Sequence, residues 1–324
     1  MRWQWLAGLA MLAFSAAGAS AQTLDHVSLR LNTILYGFHS PFFLGVDQGI
    51  YRRHGIDLAI GEGQGSARAV QTVGAGSDTF GLSDSSSIIS GIARGVPVQA
   101  VMGIMNRSPF AVIVRKDSGI TSIEGLRGKT LAATTGEAGL VIFPAILRKN
   151  KLADGDIRFL RVDQSAKLVA VLESQTAGCL GGIENQALIL PQRGTPVTVF
   201  SYADLGVNTV GLAIHTSTDT IARNPDLVRR FIAATREAFE AAQASPDASV
   251  AALLKTKPDM DRALALAQLN AGLTLLKSPR GAAQPVGWMA GEDWAETLAL
   301  MKEFQDLHTD LPATAFWTDG LLPK

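Results

Sequence analysis

Between Ser40 and Asp84 the hydrophobic period switches repeatedly from helix-like to strand-like, with glycines at each switch. Pro41 suits a first helical turn, where its missing N–H would be an orphan donor anyway. Phe42, Leu44, Val46 and Ile50 supply apolar positions, and Gly49 and Gly55 bracket a short Tyr-Arg-Arg-His link. Ile56, Leu58 and Ile60 then alternate with Asp57 and Ala59, the pattern of a half-buried strand. Gly61, Gly63 and Gly65 form a loop, and Ser66 is a suitable N-cap for the next helix. Gly74 and Gly76 end that helix, and Phe80 and Leu82 lead into Ser83-Asp84-Ser85-Ser86. A chain that alternates in this way builds an α/β sheet.

The same alternation continues. An apolar strand follows Gly95-Val96-Pro97, and Phe110–Arg115 reads as another, ending in charged Lys116-Asp117. Residues 116–203 read as a complete second α/β unit. The run Val210–His215 reads as a strand that returns to the first unit, and helices follow from Asn224. The expected division is therefore 22–115 and 204–324 for one lobe, with 116–203 inserted as the other. Two chain crossings, near Val114–Ser118 and Ala203–Thr209, would form a hinge. A ligand would sit in the cleft between the lobes, at the C-terminal ends of the strands.

Composition excludes several classes. The 324 residues are 47% apolar and 18% charged, enough for a large core. Formal net charge is zero, against the basic footprint that nucleic-acid binding requires. Cys179 is the sole cysteine, so neither an intrachain disulfide nor a cysteine-based zinc site is expected. Five scattered histidines offer no metal-ligand spacing, and no cofactor is expected. Gly81-Leu82-Ser83-Asp84-Ser85 lacks the last glycine of a nucleophile elbow, and Gly61-x-Gly63-x-Gly65 is not a dinucleotide fingerprint. At the N-terminus, Arg2, the apolar run Leu6–Ala19 and Ala19-Ser20-Ala21 have the layout of a cleaved secretory signal over residues 1–21. The run is too short to span a membrane convincingly. The expectation is an exported, periplasmic, soluble chain that starts near Gln22.

Three runs also carry a resemblance. Gly49 to Leu58 reads G-I-Y-R-R-H-G-I-D-L, Gly74 to Asp84 reads G-A-G-S-D-T-F-G-L-S-D, and Arg94 to Val101 reads R-G-V-P-V-Q-A-V. Together they are similar to periplasmic solute-binding proteins of ABC importers. The nearest branch serves nitrate, taurine, alkanesulfonates and thiamine-pyrimidine precursors. Ile56 stands where Leu is commoner, and Ser77 intervenes between Gly76 and Asp78. The resemblance runs from about Val27 to the C-terminal helices. It implies the type II periplasmic-binding-protein fold: two lobes, each a mixed sheet flanked by helices, joined by a two-strand hinge. It also implies a small-molecule ligand, an inner-membrane permease as partner, and a monomer.

Candidate site residues lie at strand-to-helix junctions. Gly65-Ser66, Ser83-Asp84-Ser85, Thr134-Thr135-Gly136 and Gln164-Ser165 pair N-cap hydroxyls with free N–H groups at a positive helix end. Such junctions either cap the helix or bind an anion or carbonyl. Tyr36 could stack on a flat ligand and His39 could hydrogen-bond it. In the pyrimidine-binding branch a Trp-Pro-Asn run precedes a histidine here; this chain has Thr33, Leu35 and Tyr36, with His39 retained. Glu184-Asn185 follows Gly181-Gly182-Ile183, where Glu184 is either a ligand acceptor or a helix-start carboxylate. Pyrimidine binders have a comparable acidic residue in a Gly-Gly context. Arg107 could pair with a carboxylate or sulfonate, and Asn208, just before the return strand, completes the set. A cytosolic relative that makes the thiamine pyrimidine carries a Cys-rich motif absent here. The expected function is capture of a small aromatic or heterocyclic, pyrimidine-like molecule without catalysis. The alternatives are a sulfonate or carboxylate binder and an enzyme on the same fold.

Overall fold

The computed structural model describes residues 23–305 and 307–323; the expected signal segment lies outside them. Among the described residues ten strands form two five-stranded sheets. They are β1 Asp25–Arg30, β2 Ile56–Gly61, β3 Phe80–Asp84, β4 Val98–Gly103, β5 Phe110–Arg115, β6 Thr130–Thr134, β7 Arg158–Val162, β8 Gly178–Gly182, β9 Val197–Ser201 and β10 Leu212–Ser217. The first sheet has the order β2-β1-β3-β10-β4 and the second β7-β6-β8-β5-β9. Each is mixed: β1 runs parallel to β2 and β3, and β6 to β7 and β8. The fourth strand of each, β10 or β5, is antiparallel to both its neighbours. That strand is the one the chain builds on entering the sheet from the other unit.

The expected boundary after Arg115 is corrected by this topology. β5 pairs with β8 on one side and β9 on the other, so it belongs to the second unit. Its sequence explains the position: Val112 and Val114 pack into one apolar cluster, Ala111 and Ile113 into the cluster on the opposite face. A strand apolar on both faces is stable only inside a covered sheet. The charged Lys116-Asp117 marks the surface end of that strand, not a change of unit. The first crossing is therefore Asn106–Pro109, because Ile104 and Met105 pack with the first core and Phe110 with the second. The second is at Asn208-Thr209, between Val207 of the second core and Val210 of the first unit.

Helix Pro225–Ala244 covers one face of the first sheet. Pro225 sits in its first turn and the Asn224 side chain accepts from the Leu227 N–H. Leu227, Val228, Phe231, Ile232 and Phe239 recur at helical spacing and are buried. Phe231 lies flat on Phe80 of β3, with ring centroids 3.9 Å apart. Burial of one such side chain stabilises by about 1.5–3 kcal/mol. The C-terminal helix Gly291–Phe304 touches both units: Trp294, Leu298 and Met301 pack into the first, while Leu300 and Phe304 rest on the second. Among the described residues no helix is long and apolar enough to cross a membrane.

Candidate functional site

The C-terminal ends of β1, β3, β6, β7 and β8 converge on one cavity between the two units. Its volume is about 80 Å³. One wall carries Asn32, Thr33, Tyr36, Gly65, Ser66 and Asp84; the other carries Glu137, Gln164, Lys167, Glu184, Asn185 and Gln186. Pro109 and Phe110, where the chain leaves the first crossing, close one end.

On the first wall the Gly-rich loop after β2 folds against the end of β1. The Gly63 N–H donates to Thr33 O at 3.0 Å and the Gly65 N–H to Asn32 O at 2.9 Å. A Cβ at Gly63 would sit 1.8 Å from Leu31 O, so only glycine permits this approach. Asp84 caps helix Ser85–Ala93: its Oδ1 accepts from the Ser86 N–H at 2.9 Å and from Ser86 Oγ. Asp84 Oδ2 is buried with no partner, and burial pushes the carboxyl up to about 7. Ser66 Oγ accepts from the Asp84 N–H, and Ser83 Oγ donates to Ser66 O.

On the second wall Glu184 folds back over the end of β8. A Cβ at Gly182 would come within 2.3 Å of Glu184 Oε2, and one at Gly181 within 2.7 Å of Gln186 Oε1. The Gly-Gly pair thus makes room for both side chains. Glu184 Oε1 accepts from the Tyr36 hydroxyl at 3.3 Å, across the cavity. Glu184 Oε2 is buried without a partner, and desolvation pushes the carboxyl up to about 7. Burial first, and the Glu184 charge second, hold the Tyr36 hydroxyl well above its ordinary range. Deeper in this wall, Lys167 Nζ donates to Glu137 Oε2 at 2.5 Å, with Lys167 only 1% exposed. Glu137 Oε1 has no partner, and burial raises this carboxyl against the pull of Lys167. Burial likewise pushes the Cys179 thiol up to about 12, leaving it unreactive.

A second link joins the walls beside Tyr36. Gln268 Oε1 accepts from the Gly37 N–H at 2.9 Å, and Gln268 Nε2 donates to Asn185 Oδ1 at 2.8 Å. Tyr36-Gly37 is therefore fastened to Glu184-Asn185 twice, once directly and once through Gln268.

Of the residues singled out from sequence, Tyr36, Gly65, Ser66, Asp84, Gln164, Glu184 and Asn185 line the cavity. His39 lies behind the wall. It is fully buried, its Nε2 is bonded to Asn32 Oδ1 at 3.0 Å, and its ring meets Tyr36 edge-on. Burial pushes it down to about 3, so it is neutral at physiological pH. Ser83 also lies behind the wall. Thr134 ends β6 without lining the cavity, and Thr135 is exposed. Arg107 and Asn208 are exposed in the two crossings, so the anion role expected of Arg107 has no geometric support in this cavity. The Glu137–Lys167 pair, Gln186 and Gln268 escaped sequence reasoning. A signal for Lys167 was present: it is the lone charge in the otherwise apolar helical run A-K-L-V-A-V-L.

Comparison with known proteins agrees with this fold. The family model described as NMT1/THI5 like matches residues 37–249. The chain is 24% identical over 318 residues to a riboflavin-binding protein of Chloroflexus aurantiacus, covering 95% of this chain and 90% of that one. It is 24% identical over 256 residues to a 4-amino-5-hydroxymethyl-2-methylpyrimidine phosphate synthase of Saccharomyces cerevisiae, covering 75% of each. Among solved structures, the alkanesulfonate-binding protein of Xanthomonas axonopodis pv. citri superposes with a TM-score of 0.72 at 14% identity, covering 90% of this chain and 98% of that one. The periplasmic nitrate-binding protein of Synechocystis superposes with a TM-score of 0.67 at 11% identity, covering 92% and 87%. With the matching model spanning well over half of its length, the chain belongs to the NMT1/THI5-like family and has the two-sheet α/β fold of the periplasmic binding proteins.

Proposed function

We propose that this chain is an exported solute-binding protein that captures a small ring compound bearing hydrogen-bond donors and delivers it to an ABC importer in the inner membrane. The single observation that carries this reading is the chemistry of the cavity wall. Asp84, Glu137 and Glu184 each turn a buried, unpartnered carboxylate oxygen to this region. Buried acceptors are costly unless a donor meets them, so the fitting ligand supplies N–H or O–H groups. Tyr36 and Phe110 offer aromatic surface beside those acceptors. A sulfonate or carboxylate would bring more acceptors to an acceptor-rich wall, which disfavours that alternative.

The synthases among the relatives support a second reading, an enzyme on the same fold. Two facts favour binding without catalysis. His39, the histidine nearest Tyr36, faces Asn32 instead of the cavity. The described lining residues include no cysteine, and the one lysine among them, Lys167, is held as an ammonium donor to Glu137. A thermal-shift screen of aminopyrimidines, flavins, sulfonates and aromatic acids tests the proposal. A ligand at a hundred times its dissociation constant adds about 2.7 kcal/mol of stability. Stabilisation by donor-bearing rings with no turnover by mass spectrometry is the expected result. Stabilisation by sulfonates alone would refute it, and chemical conversion of a bound ring would favour the enzyme.

A further inference from the structure

The titratable groups facing the cavity are Tyr36, Asp84, Glu137, Lys167 and Glu184. Three are carboxyls and one is an ammonium, and that ammonium is already committed to Glu137. The remaining lining side chains with polar atoms, such as Asn32, Gln164 and Gln186, are uncharged. His39, packed behind Tyr36, is neutral. Asp84 and Glu184 therefore face the cavity without a cation, one from each wall, with only neutral donors on their other oxygens.

A neutral ligand can meet both spare oxygens with N–H groups, but it leaves two desolvated carboxylates uncompensated. Protonating them removes the charge but turns each spare oxygen into a donor, which an N–H no longer suits. A planar cation with diverging N–H groups meets the geometry and the charge together, through bonds roughly twice as strong as neutral ones. We infer that the occupant is bound as a small organic cation of the amidinium or protonated amino-heterocycle class, held between Asp84 and Glu184. The inference rests on the reading of this cavity as the solute site. The size of the space agrees with a small occupant. At about 80 Å³ it is near half of the ~150 Å³ apolar cavity known to hold benzene, so a ring enters only if the Tyr36–Glu184 seam parts slightly.

Proton linkage follows. A cation favours the ionised carboxylates, so affinity is expected to fall as pH drops through the value near 7 to which burial raises Asp84 and Glu184.

Charge can be varied at constant shape with benzamidine, benzamide and benzoate, titrated by calorimetry into the wild-type protein above and below neutral pH. Benzamidine should bind about ten- to a hundred-fold more tightly than benzamide above neutrality, the ratio worth of one charge-assisted bond. Benzoate should be weakest, and the benzamidine advantage should shrink below neutrality. In Glu184→Gln the preference should fall by about tenfold or more, with circular dichroism unchanged. Equal or tighter binding of benzamide or benzoate overturns the charge inference while leaving solute binding intact. If no ring binds but acetamidinium binds over acetamide and acetate, the inference stands and the ring reading falls. If neither series binds at millimolar concentration, both fall.

Discussion

Gln268 offers the sharpest dissection of how the two units are held together. Its side chain is 2% exposed and makes one bond within its own unit, to the Gly37 N–H, and one across the cavity, to Asn185. Gln268→Leu keeps the volume and removes both bonds. The Gly37 N–H, buried in the wall, is then unsatisfied, at a cost of about 1–3 kcal/mol. The lost bond to the less buried Asn185 adds about 0.5–1.5 kcal/mol. Asn185→Ala removes only the bond across the cavity, because the Asn185 side chain makes no capping bond to its helix, and it leaves the buried Gln268 Nε2 donor without that partner. Both variants should shift the scattering profile toward a wider separation of the units. Urea unfolding should place both variants below the wild type by about 1–3 kcal/mol or more, since each orphans one buried donor. Wild-type stability together with wild-type scattering from both would show that Gln268 does not fasten the cavity and would refute the reasoning.

Other expectations are independent of that fastening. Glu184→Gln should stabilise the ligand-free protein by about 1–3 kcal/mol above pH ~7, where a carboxyl raised by burial is forced to ionise in the folded state; an unchanged melting temperature there would count against a desolvated Glu184. His215, buried beside Gly81 and pushed down to about 4, contributes stability that is present above its unfolded value near 6.5 and lost as pH falls through the folded one. The acid loss of the wild type should therefore exceed that of His215→Gln by up to about 3 kcal/mol, and parallel profiles would sink the idea. Gly63→Ala should cost about 3 kcal/mol or more, because its Cβ meets the backbone at Leu31, and it should displace Asn32 and Thr33 from the cavity wall; a crystal structure of the variant checks the second part. N-terminal sequencing of exported material should begin at Gln22, and recovery of Met1 on the soluble exported form would contradict the secretory reading.

Most of the fold was legible because local signals and tertiary demands coincide. The alternation at Ile56–Ile60, the glycine loop after it and the Pro225 helix start appear in the structure within a residue or two of their expected places. The exception, β5, is instructive. Its interior position depends on pairing with β8 and β9, both far along the chain, and no local feature announces which sheet such an apolar strand will join. The site was half legible for a related reason. Residues at strand ends, such as Asp84 and Glu184, follow from topology. Which side of the wall a residue faces does not, and His39 and Ser83 turned inward to satisfy Asn32 and Ser66. Lys167 and Glu137 meet across thirty residues, a partnership that spacing alone cannot display.

The most direct test is calorimetric titration of 4-aminopyrimidine into the wild-type protein and Glu184→Gln. Capture of a donor-bearing ring in the cavity requires saturable one-to-one binding to the wild type and affinity about ten- to a hundred-fold weaker in the variant, the loss of one charge-assisted hydrogen bond. Equal affinity of the two proteins, or tight binding of methanesulfonate in its place, would contradict it.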